Sequence, residues 1–314
     1  MPRIIKYVAL FIALVVVIIP ASISCRKSQS TSAAPIPDGP VYAVGNGPLA
    51  ICSDGTNIWV ANSDGNSVTE VRSSDGSLVG TFTVGGGPNA ICFDGTNIWV
   101  ANGDDGNVTE LKASNGAILG SYATGSQPSG ICSDGAHIWV ANADDDTVTE
   151  LSSTDGKLMG TYAVGSDPIA VCYDGTNLWV ANTDDNSVTE LRASDGTLLG
   201  TFSVGGSPDA LCFDGKDIWV VNSEDDSVTE LRASDGGLVG TYSRGNFPDA
   251  ICYGNGSIWV ANLMGDDVTE LRAADCSLVG TFVTGSGPSG CCYSGGSIWV
   301  CDYFGNNITK LAAS

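Results

Sequence analysis

Asp209 and Asp249 each stand directly after a proline, forty residues apart, and Asn89 holds the same place in another copy of that pattern. Two carboxylates and an amide oxygen are hard donors, a set that suits a divalent cation, with calcium the candidate. An ion held there would serve as a Lewis acid for hydrolysis, a lactone or ester being the natural substrate class. The competing reading leaves the same side chains solvated by water. His137 is the only histidine of the chain, so a multi-histidine metal centre or a His-based catalytic group is hard to build. No catalytic set is assigned. Asp-rich stretches such as Asp144-Asp145-Asp146 and Asp184-Asp185-Asn186 recur with the same step. They read as tight turns, with weak calcium binding as the alternative.

Sulfur is the second chemistry. Of the 11 cysteines, seven (Cys52, Cys92, Cys132, Cys172, Cys212, Cys252 and Cys292) fall at intervals of 40 residues. Equivalent positions in neighbouring repeats should lie ~8 Å or more apart, beyond the ~7 Å Cα limit of a disulfide. These seven are therefore expected as free thiols that pack as small hydrophobes, Cys52 lying opposite Trp59 in a hairpin. Cys25, Cys276, Cys291 and Cys301 break the pattern. A disulfide within the last repeat, Cys291–Cys301 or Cys292–Cys301, is one use of the odd thiols in an oxidising compartment.

Cys25 has a different setting. Residues 1–24 read as an export signal, with Arg3 and Lys6 before an apolar run from Tyr7 to Ile19, then Pro20 and small residues. Ser22-Ile23-Ser24-Cys25 resembles a bacterial lipobox with Ser in place of the usual Leu, which makes Cys25 the lipidation candidate. Ordinary cleavage after Ser24 is the other reading. Residues 25–39 are rich in Ser, Thr, Ala and Pro and suit a flexible tether. The expected location is therefore exported: periplasmic or at the cell surface, anchored through Cys25, or secreted. With 13 Lys+Arg against 35 Asp+Glu, a net of −22, the chain lacks the basic footprint that nucleic acid requires. Contact with a membrane is expected only through the N-terminal anchor.

The elements that place these residues follow from the period. Tryptophans at 59, 99, 139, 179, 219, 259 and 299 are separated by 40 residues every time. Within a repeat, four short apolar and β-branched runs alternate with Asp-Gly, Asp/Asn-rich and Ser-Asp-Gly turns, the pattern of strands joined by hairpins. In the first repeat these are strand A (Pro48–Ser53), B (Ile58–Ser63), C (Ser67–Ser73) and D (Leu78–Val84). Four antiparallel strands repeated seven times make an all-β, seven-bladed β-propeller over residues 40–314. The last repeat stops after its C strand, while Pro40-Val-Tyr-Ala-Val-Gly45 aligns with Gly80-Thr-Phe-Thr-Val-Gly85. The N-terminal strand should complete the last blade, closing the ring and removing an open sheet edge. A monomer is expected.

Ile-Trp-Val-Ala-Asn (98–102), the Val-Thr-Glu-Leu strand and the Val-Gly-x-x-Pro joint (Val164 to Pro168) resemble the YVTN-type β-propeller repeat, and the related NHL and streptogramin-lyase propellers. The resemblance implies the propeller fold. For a streptogramin lyase it would further imply histidines and a glutamate on the channel-mouth surface. Leu49, Asn89, Ser129, Ile169, Asp209, Asp249 and Ser289 occupy the position after the blade-entry proline, and none is a histidine. Lyase chemistry of that kind therefore does not carry over. His137 takes a position held by Asn or Asp in the other four of the first five repeats, and reads as a solvated turn residue.

Departures from the repeat gather in its last copies. Arg244, Asn246 and Phe247 lie in a D–A joint, Leu263 and Met264 in one B–C loop, and Tyr303 and Phe304 in the next. Joints and B–C loops share one face of a propeller, so these residues should form an apolar, aromatic patch on an acidic surface. Drift of the terminal repeats would produce the same departures. The functional expectation is an exported, lipid-anchored binding module without catalytic activity, taking a protein, glycan or small molecule on one face. A metal-dependent hydrolase, lactonase or lyase-like propeller enzyme with its site at the channel mouth is the alternative.

Overall fold

The computed structural model describes residues 36–313. The signal, most of the tether and the candidate lipidation residue Cys25 lie outside the described residues. Seven four-stranded antiparallel sheets make up the fold, each ordered A-B-C-D from the inside outward. The first blade comprises Pro48–Ser53, Asn57–Asn62, Ser67–Arg72 and Leu78–Thr83. Strand B thus starts one residue earlier than the apolar run suggests, because Asn57 already pairs with Arg72. The last blade takes Pro288–Ser294, Ser297–Asp302 and Asn307–Ala312 from the end of the chain. Its outer strand is Val41–Ala43, paired with Thr309, Ile308 and Asn307. The ring therefore closes by exchange between the two ends of the sequence.

In the first five blades the A–B hairpin turns on one aspartate; Gly254 and Ser294 stand at that place in the last two. In the first blade Asp54 Oδ1 accepts the backbone N–H groups of Thr56 and Asn57 at 2.8 and 2.7 Å, and Oδ2 accepts Trp59 Nε1–H at 2.9 Å. Asp94, Asp134, Asp174 and Asp214 repeat this bond to Trp99, Trp139, Trp179 and Trp219. All seven indoles are fully buried. They are the wedge between blades: Trp59, Ala61 and Val68 of the first blade pack against Ile91, Ile98, Val100 and Leu111 of the second. Burying a ring of this size is worth about 4–6 kcal/mol as an upper bound against an extended chain.

An outer aromatic covers each indole, and for all but Phe282 a left-handed turn of the next blade makes room for it. Gly76, at φ 70°, is such a place, since a Cβ there would sit 2.2 Å from the Tyr42 ring. Cys276 occupies the equivalent position at φ 54° and is buried. The ring it faces responds: Trp219 and Tyr242 centroids are 6.2 Å apart, against 5.5–5.8 Å in the other six pairs.

The closing junction has its own chemistry. Lys310 replaces the glutamate found at this place in the other repeats. Its Nζ stands 4.9 Å over the Trp299 ring and donates to the Ser73 carbonyl of the first blade at 2.9 Å. Ser289 Oγ donates to the Pro48 carbonyl at 3.0 Å, and Asn306 Oδ1 accepts the Gly47 N–H at 2.8 Å.

The cysteines follow the expected register, with Cys52 directly opposite Trp59. All ten cysteines from Cys52 to Cys301 are free thiols. A disulfide inside the last blade, one of the uses open to the odd thiols, is disfavoured for a geometric reason. Cys301 lies opposite Gly290, so Cys291, one residue on, faces the other side of the sheet. Cys292 shares a side with Cys301 but sits diagonally across the hairpin, where Cβ atoms are roughly 7 Å apart rather than the ~3.8 Å a disulfide needs.

Candidate functional site

The acidic face is built by the B–C loops and D–A joints. Each B–C loop ends in a left-handed residue, among them Asn66, Asp146, Asp226 and Asp266 at φ 46–55°. Except in the second blade, where it is Gly106, its side-chain oxygen accepts a backbone N–H from the joint that enters the following blade. Asp146 takes Asp167 N–H at 3.0 Å, Asp226 takes Phe247 at 2.7 Å and Asp266 takes Gly287 at 2.8 Å. The preceding aspartate reaches the joint of its own blade: Asp105, Asp145, Asp185 and Asp225 accept from Gly86, Ser126, Ser166 and Gly206 at 2.6–2.8 Å. The Asp-rich loops therefore serve as staples for joint amides, a use that goes beyond tolerance of turn angles.

At the channel mouth, the residues after the entry prolines also turn toward a neighbouring blade. Ser129 Oγ donates to the Pro168 carbonyl at 2.8 Å, and Asn89 Nδ2 to the Pro128 carbonyl at 3.4 Å. Asp209 is buried and Asp249 partly buried, on the inner strands Pro208–Phe213 and Pro248–Gly254 of adjacent blades. Asn89, on Pro88–Phe93, belongs to the second blade while Asp209 belongs to the fifth, so the ring separates it from the two aspartates. Among the described residues, no three His, Cys, Asp or Glu side chains converge as metal ligands.

His137 is less solvated than a turn residue would be. It opens strand His137–Asn142, with Nδ1 3.1 Å from Asp134 Oδ2 and Nε2 3.6 Å from Glu150 Oε1. It thus takes the place of Asn57 and Asn97, whose amides donate to Glu70 and Glu110 at 2.7 Å. Burial, reinforced by Asp54, raises Glu70 to about 7. Burial raises Glu110, Glu190 and Glu230 as well. In the last blade Asp302 stands where the other repeats have Asn. Fully enclosed, and accepting a hydrogen bond from Thr309 Oγ1 at 2.7 Å, it is raised by burial to about 7.

The patch over the last two blades is only partly on the surface. Met264 and Phe304 are 44% and 49% exposed, whereas Leu263 and Tyr303 are buried. Tyr303 turns away because its hydroxyl donates to the Asp64 carboxylate of the first blade at 3.1 Å. Burial and that carboxylate push its pKa up to about 12. Its ring supports Phe304 edge-on at 5.3 Å. Leu263 N–H donates to the Phe247 carbonyl at 3.0 Å, and Asn246 Nδ2 to the Met264 carbonyl at 3.2 Å, which zips joint to loop. Arg244 is half-buried, its Nη1 held by the Ser243 carbonyl at 3.0 Å. Phe247 is half-buried at φ 56°, where Gly47, Gly87 and Gly287 stand in other repeats. A bulky residue in that conformation costs of order 1–2 kcal/mol.

Comparison of this ring with solved structures finds propellers. The hydrazine synthase of Kuenenia stuttgartiensis superposes with a TM-score of 0.73 at 19% identity, covering 92% of this chain and 99% of that one. A streptogramin B lyase gives 0.75 at 19% identity, covering 88% and 97%. The likeness is one of fold. No protein-family model matches the chain, and no curated protein does.

One surface feature escaped the sequence reading. Each of the six complete blades opens its D strand with an exposed apolar pair, Leu78-Val79 and Leu158-Met159 among them. The signal was the pair itself, since consecutive residues of a strand point to opposite faces and an outer strand cannot cover both.

Proposed function

We propose that this chain is an exported propeller, tethered through a lipid on Cys25, which binds a protein partner on the face carrying Met264 and Phe304 and performs no chemistry itself. The observation that carries the reading is Phe247. A phenylalanine holds a left-handed position that glycine fills in three repeats and the smaller or polar Gln127, Asp167 and Ser207 fill in the other three, at about 1–2 kcal/mol, and its joint pairs with the loop that exposes Met264. A local cost retained next to an apolar patch is what a binding surface would justify. The surrounding loops are acidic, so the chemistry that complements them is an apolar anchor flanked by Lys or Arg. The carboxylates of those loops hold backbone amides, which supports a structural use of the acidity.

Binding is tested with the purified chain immobilised and probed with solubilised cell-envelope proteins in increasing salt. Retention should be lost in Met264→Ser/Phe304→Ser while the melting temperature stays within ~2 °C of the parent. Retention undiminished in the double variant would refute the assigned face. Anchoring is tested separately, by mass spectrometry of the N-terminal peptide from the expressing cell. A diacylglyceryl adduct, absent from Cys25→Ala, is expected, and an unmodified peptide beginning at Cys25 would refute the anchor.

A further inference from the structure

Each inter-blade junction places the repeated cysteine of one blade in the same apolar cluster as the residue preceding the next blade's cysteine. That residue is aliphatic at six junctions, as in Cys52 with Ile91, Cys132 with Val171 and Cys212 with Ile251. Between the sixth and seventh blades it is Cys291. Cys252 and Cys291 share one cluster with Ala250 and Trp259. Their thiols are in hydrogen-bond contact, and Cys291 Sγ also lies 3.7 Å from the Trp259 carbonyl. Both residues are partly exposed, whereas Cys276 and Cys301 are buried. We propose that Cys252 and Cys291 form a disulfide that staples the sixth blade to the seventh.

The reaction needs an oxidant of the disulfide class, such as oxidised glutathione or a thiol–disulfide oxidoreductase. One protein thiolate attacks the oxidant's S–S bond and expels a thiolate, leaving a mixed disulfide. The second protein thiolate then displaces the remaining group. Two electrons pass to the oxidant, which leaves as two thiols, and the two protons of the protein thiols go with it. The hydrogen bond to Cys291 and burial hold the Cys252 thiol well above its ordinary value, so the folded chain should react over hours rather than seconds. The bond ties strands that the fold already holds together, and the chain between them is long enough for the cross-link to restrict the unfolded state appreciably.

The test uses the full chain, incubated with oxidised glutathione, alkylated and digested with trypsin without reduction. The expected product links peptide 245–272 to peptide 273–310, with the melting temperature raised by roughly 5–10 °C over the reduced chain. The link should persist in Cys292→Ala and Cys301→Ala, and vanish in Cys291→Ile, which installs the residue of most other repeats. Cys252→Ser gives a second check should the isoleucine variant fold poorly. Complete alkylation of every thiol after oxidation would overturn the proposal, as would a link that survives Cys291→Ile.

Discussion

Asp302 and Phe247 show how single residues depart from the repeat at a cost. Asp302 is fully buried and raised to about 7, so the fold prefers it protonated, while in the unfolded chain it ionises near 4. The folded state then binds more protons between those values, and its stability falls as the pH rises through that window. Asp302→Asn restores the residue of the other repeats, whose amide reaches the equivalents of Thr309, as Asn262 does to Thr269 at 2.9 Å. The substitution should raise the melting temperature at pH 8 by several degrees and change it little at pH 4.5, measured by differential scanning calorimetry. Equal shifts at both pH values would contradict this account. Phe247→Gly relieves the left-handed strain and should add about 1 kcal/mol in urea denaturation while weakening envelope-protein retention. A variant that gains stability and keeps full retention would detach the strain from binding.

At the scale of the strand and turn, the hairpin aspartate organises the blade. Asp174 holds the N–H groups of Thr176 and Asn177 and the Trp179 indole. Asp174→Ala leaves a buried indole N–H without its acceptor and frees the turn, which should cost about 2–3 kcal/mol in urea denaturation. The strands and the Cys–Trp register were legible in the sequence because the alternation and the 40-residue step state them directly. Which loop residues remain exposed was not legible. Leu263 and Tyr303 read as surface residues, yet the joint opposite Leu263 and the Asp64 carboxylate opposite Tyr303 draw them inward. Those partners lie 16 and 239 residues away in the chain, and only the closed ring brings the second pair together. The Cys252–Cys291 contact was hidden for the same reason, since it pairs non-equivalent positions of two blades.

For the whole molecule, closure and acidity are the two governing features. Three residues, Val41–Ala43, supply the outer strand of the last blade, and Lys310 N–H donates to the Pro40 carbonyl at 3.0 Å just below them. Removing residues 1–44 should expose the Asn307–Ala312 edge, lower the melting temperature by more than 10 °C and produce concentration-dependent association in light scattering. A truncated chain that melts as the parent does and stays monomeric would contradict closure by strand exchange. The net charge of −22 is accommodated because the loop carboxylates accept backbone N–H groups around the ring. The central claim is that this acidity holds blades together and does not serve a metal-dependent site. Its most direct test is the thermal midpoint of the chain from Cys25 to Ser314, first with EDTA and then with calcium or magnesium in excess. A cation at a hundred times its dissociation constant would add ~2.7 kcal/mol and raise the midpoint by roughly 5–10 °C. The account predicts a change below ~2 °C, whereas a full shift that disappears in Asp209→Ala/Asp249→Ala would contradict it and place a cation at the channel mouth.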